Sequence, residues 1–462
     1  MNRQQVLDML WQRFIEPTRR LRPLFTGVEL EMPLVNQSGA AVDFTVVHAL
    51  TEHFLTKAGL QRAALDSYGN TFSVHSPQTG DVLSYDCSYN NLEFSFGRTD
   101  DLHQVLRRFE RYFCVAQEFL GRHGHGLTGM GINPRYRVNH HQPIPTARYR
   151  MLYHHLSKAA TIKLPRYLHH YYNYGMFTSA SQIQCDVSFE QLVPTLVVHN
   201  LLEPLKAVLF ANSPFYDAGV QYLCGRDFLW ANSMQGYNPH NVGSFEQLPA
   251  TPTELLSYLS GLSIYCARRQ EKYLTFLPLP IVDYFAQPHI SGEYFALGSY
   301  HQMEFMPERD DLNYLRSYKF TDLTFRGTIE WRSCCCQPVR DAMSVAAFHL
   351  GLMGKEQTEH LKELLTADTV LFGQGFTHAE LRALLVCEQW PQFINRNALR
   401  SLLLSVLEVA RGGLEQRGLG EEVYLNCLFE RAERLENPAQ RMLRMLASGV
   451  SLEKVIADYA VL

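Results

Sequence analysis

The sequence predicts an α+β fold, with an antiparallel sheet built from hairpins and interleaved with helices, followed by a helical C-terminal region. Three observations predict it. Segments 70–76, 82–86 and 91–96 are short, rich in Ser, Tyr, Phe and Val, and broken by turn residues such as Pro77 and Gly80, which is the signature of antiparallel hairpins. Residues 4–15, 44–57 and 102–120 carry apolar side chains at three-to-four spacing, the period of a helix with one buried face. From about Asp341 to Leu462 the Leu, Val and Ala residues keep that spacing almost throughout, as in a helical layer packed on a sheet.

The remaining sheet elements follow from alternation. Phe25 to Met32 reads as a strand, LTGMGI after the Gly-rich RHGHG turn reads as another, and 180–187 and 326–332 complete the set. No internal repeat is present. The expected organisation is one catalytic unit over 1–462, with a sheet-bearing core at 1–340 and a helical region at 341–462.

Composition narrows the function classes. At 462 residues, with 46% apolar and 19% charged side chains, the chain has a globular balance with no low-complexity tail. A net charge of -4 argues against a broad nucleic-acid or anionic-membrane footprint, so small-molecule partners are expected. The opening MNRQQVLDMLWQRFIEP lacks the apolar core of a signal peptide and no later stretch is a long charge-free apolar run, so a cytoplasmic protein is expected. Ten cysteines without paired CxxC modules suggest reduced thiols in place of a disulfide or zinc scaffold.

The acidic residues carry the chemistry. In Gly27-Val28-Glu29-Leu30-Glu31 the two acids are one residue apart, so on a strand both carboxylates leave one face while Leu30 points to the other. That geometry suits a hard divalent cation, provided acids from other strands converge on it. Candidates are Asp86 and Glu93, which bracket the turn of YDCSYNNLEFSF, and Glu330 in GTIEWRS. An acid among apolar strand residues costs several kcal/mol to desolvate alone, so it either meets a cation or faces solvent.

Taken together, GVELE, YDCSYNNLEFS, GMGINPRY, PTARYRMLYHHL, TSASQIQCDVSFEQL, NSPF, CGRDFLW, TIEWR and VARGGLEQRGLGEEVYLN, in that order, resemble the glutamate-cysteine ligase family in its plant and proteobacterial branch. The resemblance covers most of the chain. It implies a glutamine synthetase-like catalytic fold, a curved and mostly antiparallel sheet with the active site on its concave face and helices outside. By motif, Glu29, Glu31, Asp86, Glu93, Gln182 and Glu330 match metal-binding positions for two or three magnesium ions. Arg148 of the ARY segment and Arg332 match phosphate-facing residues that serve ATP and catalysis, and Arg226 of CGRDFLW matches a residue that holds glutamate. Guanidinium forks bind carboxylate and phosphate in a bidentate manner, which is a reason for such residues independent of the resemblance. Arg332 shares a strand face with Glu330 by the two-residue period.

The implied reaction is ATP-dependent joining of the glutamate γ-carboxylate to the amine of cysteine through an acyl phosphate, in a monomer or homodimer. A carboxylate is a poor acyl donor until ATP converts it, and metal ions with arginines do mainly positioning and electrostatic work on the phosphates. The nearest rivals are a ligase of the same fold with another amine acceptor and a kinase that stops at phosphoryl transfer. A metal or redox protein built on the cysteines is the rival from another class.

Other conspicuous residues read as structural. Cys334, Cys335 and Cys336 stand where the resembled family usually continues Gly-Ala-Asp. Adjacent thiols on an extended chain point to opposite faces, so packing or loop lining is expected, with a pocket wall or a redox thiol as the functional alternative. Histidines 123, 125, 140, 141, 154, 155, 169 and 170 lack i, i+4 pairing on one helix face and are expected to be solvated or satisfied in the core. Tyr167, Tyr171, Tyr172 and Tyr174 are expected in packing or beside the cleft, and the glycines at 124, 126, 129 and 131 in close strand packing, not in a phosphate loop.

Overall fold

The strand that starts at Thr26 organises the main sheet because its two faces differ chemically. In the computed structural model, which describes residues 1–20, 22–164 and 167–462, β1 (Thr26–Asn36) pairs antiparallel with three neighbours. These are β5 (Asn91–Ser95), β6 (His125–Leu127) and β7 (Ser181–Asp186), while β2 (Gln61–Leu65), β3 (Thr71–His75) and β4 (Val82–Tyr85) extend the β5 side. The strands Thr328–Trp331 and Thr321–Leu323 extend the β7 side, which makes a nine-stranded sheet. Every pairing in it is antiparallel, as the hairpin pattern predicts.

Register gathers most of the buried apolar residues of the sheet on one side. Val28, Leu30, Leu83, Tyr85, Leu92, Phe94, Ile183, Cys185, Ile329 and Trp331 are each at most 2% exposed. Burying a side chain of this kind is worth about 1.5–3 kcal/mol, so a one-residue slip of any strand would forfeit several such contributions and expose its core face. Helices cover this face. Phe109 of α3 (Leu102–Arg122 in this chain, after α1 at Arg3–Leu10 and α2 at Phe44–Lys57) meets Phe94 edge-on at 5.5 Å between ring centroids. On the β7 side, His199 and His349 flank Trp331 at 4.7 and 4.9 Å.

Caps define the helices. Asp43 accepts from the Thr45 N–H at 2.8 Å and Asp101 from the His103 N–H at 2.7 Å, so α2 and α3 begin where the apolar period begins. Thr146 and Ser188 cap α4 (Ala147–Ser157) and α5 (Phe189–Leu201) in the same way, and α6 (Glu203–Phe210) and α7 (Gly225–Ala231) follow. After Asp341 the regular elements among the described residues are helical, and the Ser344–Gly351 helix packs on β7. One apolar cluster runs from Val6 to Ala439 and so joins the sheet-bearing and helical parts. Among the described residues no single helix is long and apolar enough to cross a membrane; α5 and α6 together pass on composition only, bent by 55°.

Two features depart from the sequence reading. Residues 263–305 form a four-stranded antiparallel sheet, Ser263–Arg269, Lys272–Pro280, Ile290–Ala296 and Ser299–Phe305, where no strands are expected. Ser263–Ala267 is buried at five successive residues and Ser299–Gln302 is exposed at four, so neither shows the alternation that reveals a half-buried strand. The LTGMGI strand is also absent as such. Leu127 ends β6, Ile132 makes an isolated bridge to Thr178, and the residues between spend their N–H groups elsewhere, Gly129 on Tyr459 and Gly131 on Asn212.

Close packing explains Gly129 and Gly131, as expected, but not Gly124, which takes a φ of +68° with nothing within 4 Å of an added Cβ, nor Gly126, where an added Cβ would meet only ordinary contacts from 3.5 Å. A Cβ on Gly129 would lie 2.2 Å from the Gln337 carbonyl oxygen, a backbone atom that cannot move aside cheaply. Gly129→Ala is therefore expected to lose about 1–3 kcal/mol or more in denaturant unfolding. Gly121, in α3 with nothing within 4 Å of an added Cβ, is the control. Gly121→Ala should be neutral or gain about 0.4–1 kcal/mol, and equal losses in the two variants would contradict the packing account.

Candidate active site

The polar face of the nine-stranded sheet opens into a cavity of about 600 Å³. Its floor follows from register. Glu31 lies opposite Glu93, Glu29 lies between Ser95 and Gln182, and Glu330 lies between Gln184 and Asp322. Helix α4 and the start of α7 supply Arg148 and Arg226, and the four-stranded sheet contributes Tyr265 and Tyr273 to the opposite wall. All of Glu29, Glu31, Asp86, Glu93, Gln182, Glu330, Arg148, Arg226 and Arg332 line this one cavity.

Within it the acids form two groups. Glu31, Asp86 and Glu93 each bring a carboxylate oxygen within 4.8 Å of the others. Glu31 is 8% exposed and accepts from the Ala180 N–H at 2.7 Å and from Gln182 Nε2 at 2.9 Å. Gln182 thus spends its amide nitrogen on Glu31 and keeps Oε1 for an ion. Tyr149 Oη donates to Asp86 at 3.2 Å and Ser95 Oγ donates to Glu93. Glu29 and Glu330 form the second group, bridged by Gln184 Nε2, which donates to Glu29 at 3.2 Å and to Glu330 at 2.6 Å. Arg326 in turn donates to Gln184 Oε1 at 2.6 Å and so fixes which way the amide faces.

The three arginines differ in how free they are. Arg332 is ion-paired with Glu330, and its Nε is buried with no hydrogen-bond partner. Burial works against its charge, but Glu330, Asp322 and Glu29 outweigh burial and hold its pKa above the ordinary value. Arg226, 6% exposed, gives Nη1 to the Ser333 and Cys334 carbonyls at 3.4 and 3.1 Å and Nη2 to the Arg332 carbonyl at 3.3 Å. Its Nε is buried and unpartnered. Arg148 is solvent-accessible at the cavity side of α4, with its guanidinium carbon 5.4 Å from the Tyr149 ring centroid.

The electrostatics favour a cation. Burial, then Glu93 and Glu330, push the Glu29 carboxyl up to about 8. Burial, then Asp86, do the same to Glu31, and burial, then Asp86 and Glu31, to Glu93, both up to about 8. Acids so crowded cannot all ionise unless a positive charge sits among them. Three converging carboxylates with a carboxamide oxygen beside them form the oxygen-rich donor set that a hard divalent ion takes, so the residues fit magnesium.

That crowding has a pH consequence. A carboxyl whose pKa is raised by folding favours the folded state while protonated; the contribution is complete below the ordinary value of about 4.3 and is lost as pH rises through about 8. The cation-free protein should therefore melt at progressively lower temperature between pH 6 and pH 9 in chelator, and millimolar magnesium should remove much of that fall by binding the ionised acids. A pH profile indifferent to magnesium would contradict the arrangement.

Sequence reasoning missed Gln184, Arg326, Asp322 and the aromatic wall. Gln182 is identified by its motif, and the two-residue period of a strand places Gln184 on the same face beside it. Asp322 lies on a three-residue strand too short to show a period. Tyr172 and Tyr174 line the cavity, while Tyr171 Oη donates to Asp217 at 3.0 Å and Tyr167 is 54% exposed. The histidines are largely committed to structural partners, for example His125 Nε2 accepting from the Asp43 N–H at 3.1 Å and His169 Nε2 bonding the Leu229 carbonyl at 2.7 Å. Cys334, Cys335 and Cys336 are at most 1% exposed and none lines the cavity. Packing is their role there, and Cys335 Sγ sits 3.2 Å from Ser213 Oγ.

Comparison with known proteins agrees in family. The chloroplastic glutamate–cysteine ligase of Arabidopsis thaliana is 25% identical over 79% of this chain and 66% of its own length. That of Medicago truncatula is 23% identical over 76% of this chain and 65% of its length, so the chain spans about two thirds of these relatives. Among solved structures, a glutamate–cysteine ligase from Francisella tularensis in complex with AMP superposes with a TM-score of 0.48 at 12% identity, covering 96% of this chain and 88% of that one. A bifunctional glutathione synthetase from Pasteurella multocida gives 0.44 at 15% identity, covering 99% and 52%. The model of glutamate-cysteine ligase family 2 matches residues 25–459, and the chain belongs to that family.

Proposed function

We propose that this chain joins the γ-carboxylate of glutamate to the amine of cysteine with hydrolysis of ATP to ADP and phosphate, the first step of glutathione synthesis. The observation that carries this reading is the convergence of Glu31, Asp86 and Glu93 beside Arg148, Arg226 and Arg332 in one cavity. Opposite charges gathered in that way suit a substrate pair that carries a triphosphate and a carboxylate together.

The chemistry proceeds in two transfers. An oxygen of the glutamate γ-carboxylate attacks the γ-phosphorus of ATP, the bond to the β-phosphate oxygen breaks, and ADP leaves. The acceptor amine then attacks the acyl carbon, the carbon–oxygen bond to phosphate breaks, and inorganic phosphate leaves with the amide formed and a proton released. Magnesium held by Glu31, Asp86 and Glu93 would supply positive charge against the triphosphate oxygens, and the pair Glu29 and Glu330 supports a second such position. Arg332 and Arg148 face the phosphates and stay charged through both transfers. Arg226, which lines the cavity, holds the glutamate carboxylate. The aromatic wall of Tyr149, Tyr265 and Tyr318 excludes water from the acyl phosphate, which limits wasteful hydrolysis. Cysteine as acceptor is supported by the relatives' names, and the Cys334–Cys336 departure does not weaken it, because those thiols stay out of the cavity.

Incubation with ATP, magnesium, glutamate and a panel of amines, with products identified by mass, tests the proposal. γ-Glutamylcysteine with equimolar ADP and phosphate is expected. A phosphorylated acid with no amide, or no ATP turnover with any donor, would overturn it. Glu29→Gln and Glu330→Gln should each slow magnesium-dependent ADP release on the order of 10²–10³-fold while the variants melt as folded proteins, and full activity in either would remove the assigned roles.

A further inference from the structure

Arg382 lies in the His378–Leu385 helix of the C-terminal region, is 2% exposed, and does not reach the cavity. Every N–H of its guanidinium nevertheless has an acceptor. Nε and Nη2 donate to the two Asp227 carboxylate oxygens at 2.7 and 3.1 Å. Nη1 donates to the Glu203 backbone carbonyl and to its Oε2, each at 2.8 Å, and Nη2 also reaches the Ser333 carbonyl at 3.5 Å. The guanidinium carbon stands 4.3 Å from the centroid of the Phe320 ring, and the Phe320 carbonyl accepts the Arg332 N–H at 2.9 Å.

These partners are the immediate neighbours of the cavity arginines. Asp227 follows Arg226 on α7, and Ser333 follows Arg332. Arg226 itself donates to the carbonyls of Arg332, Ser333 and Cys334, so the Ser333 carbonyl is approached by two guanidiniums, Arg226 from the cavity and Arg382 from outside the sheet. Buried ion networks of this kind commonly add little net stability over apolar packing, because desolvation offsets the attraction. What a five-donor fork supplies that apolar packing cannot is fixed geometry.

We infer that Arg382 is a positioning residue of the active site, acting through Asp227 and Ser333 to set the placement of Arg226 and Arg332. The inference rests on the ligase reading above for what those two arginines do. A displacement of a substrate-holding group on the order of 1 Å can cost up to about 100-fold in rate, so small slippage of this segment is enough to be read in kinetics.

Arg382→Lys keeps the charge but places its donors on one nitrogen, which cannot span Asp227, Glu203 and Ser333. Asp227→Asn is the milder variant, since Arg382 keeps Glu203 as its partner. Steady-state γ-glutamylcysteine formation is measured for both beside wild type, well below the melting temperature. The expected result is a KM for glutamate raised about tenfold in each, with melting still cooperative. A purely structural role would lower the melting temperature and scale kcat with the folded fraction while leaving KM for glutamate unchanged, and that result in Asp227→Asn overturns the inference. Wild type that forms no glutamyl amide under these conditions would overturn the ligase reading, and this inference with it.

Discussion

Carboxylates crowded together out of bulk water repel one another, and most of the architecture around the cavity can be understood as a response to that repulsion. Glu31, Asp86 and Glu93 approach within 4.8 Å, with Glu29 two residues from Glu31 on β1 and Glu330 beyond β7 on the strand that pairs with it. The protein supplies donors to each group: the Ala180 N–H and Gln182 for Glu31, Ser95 for Glu93, Tyr149 for Asp86, Gln184 for Glu29 and Glu330, and Arg332 as counter-ion. Donated hydrogen bonds soften such repulsion without cancelling it, which leaves the triad suited to a divalent cation. The same strands bury Val28, Leu30, Phe94, Ile183 and Ile329 on their other side, so the core holds the acids in register even before an ion arrives.

That division between faces is also why much of the site is legible in the sequence. Glu29 and Glu31 differ by two residues, which puts them on one face of any strand, and the structure keeps them there. The hairpin of Asp86 and Glu93 is readable from its turn residues, and the helices from their period. The four-stranded sheet at 263–305 escapes the same reasoning at its first and last strands, one buried and the other exposed over successive residues. Gln184 and Arg326 escape it for a different reason. Gln184 shares a strand face with Gln182, but its role as a bridge lies in a chain of hydrogen bonds, Arg326 to Gln184 to Glu330, that joins a turn and two strands distant in sequence, and no local spacing encodes that chain. LTGMGI reads as a strand, yet Gly129 is there to let the backbone of 337–339 approach, and Gly131 to admit the Asn212 carbonyl and the Cys335 side chain.

The arginines show how the helical C-terminal region is tied to the sheet. Arg382 and Arg431 are both buried among carbonyls and carboxylates contributed by the first three quarters of the chain, Arg431 through Leu209, Gln337 and Asp341. These are directional contacts that specify a placement, where the apolar cluster from Val6 to Ala439 supplies adhesion with little direction. The cavity arginines sit at the inner end of one of these chains of contact, so the distance from the helical layer to the chemistry is short.

Cation binding to the acid cluster, measured by titration calorimetry in buffers of different ionisation enthalpy, tests the account most directly. It predicts that wild type takes up manganese or magnesium at pH 7 with release of protons, because Glu31 and Glu93 are held largely protonated until the ion arrives, and that Glu93→Gln binds more weakly and releases fewer. Binding with no proton release, or binding untouched by Glu93→Gln, would contradict it.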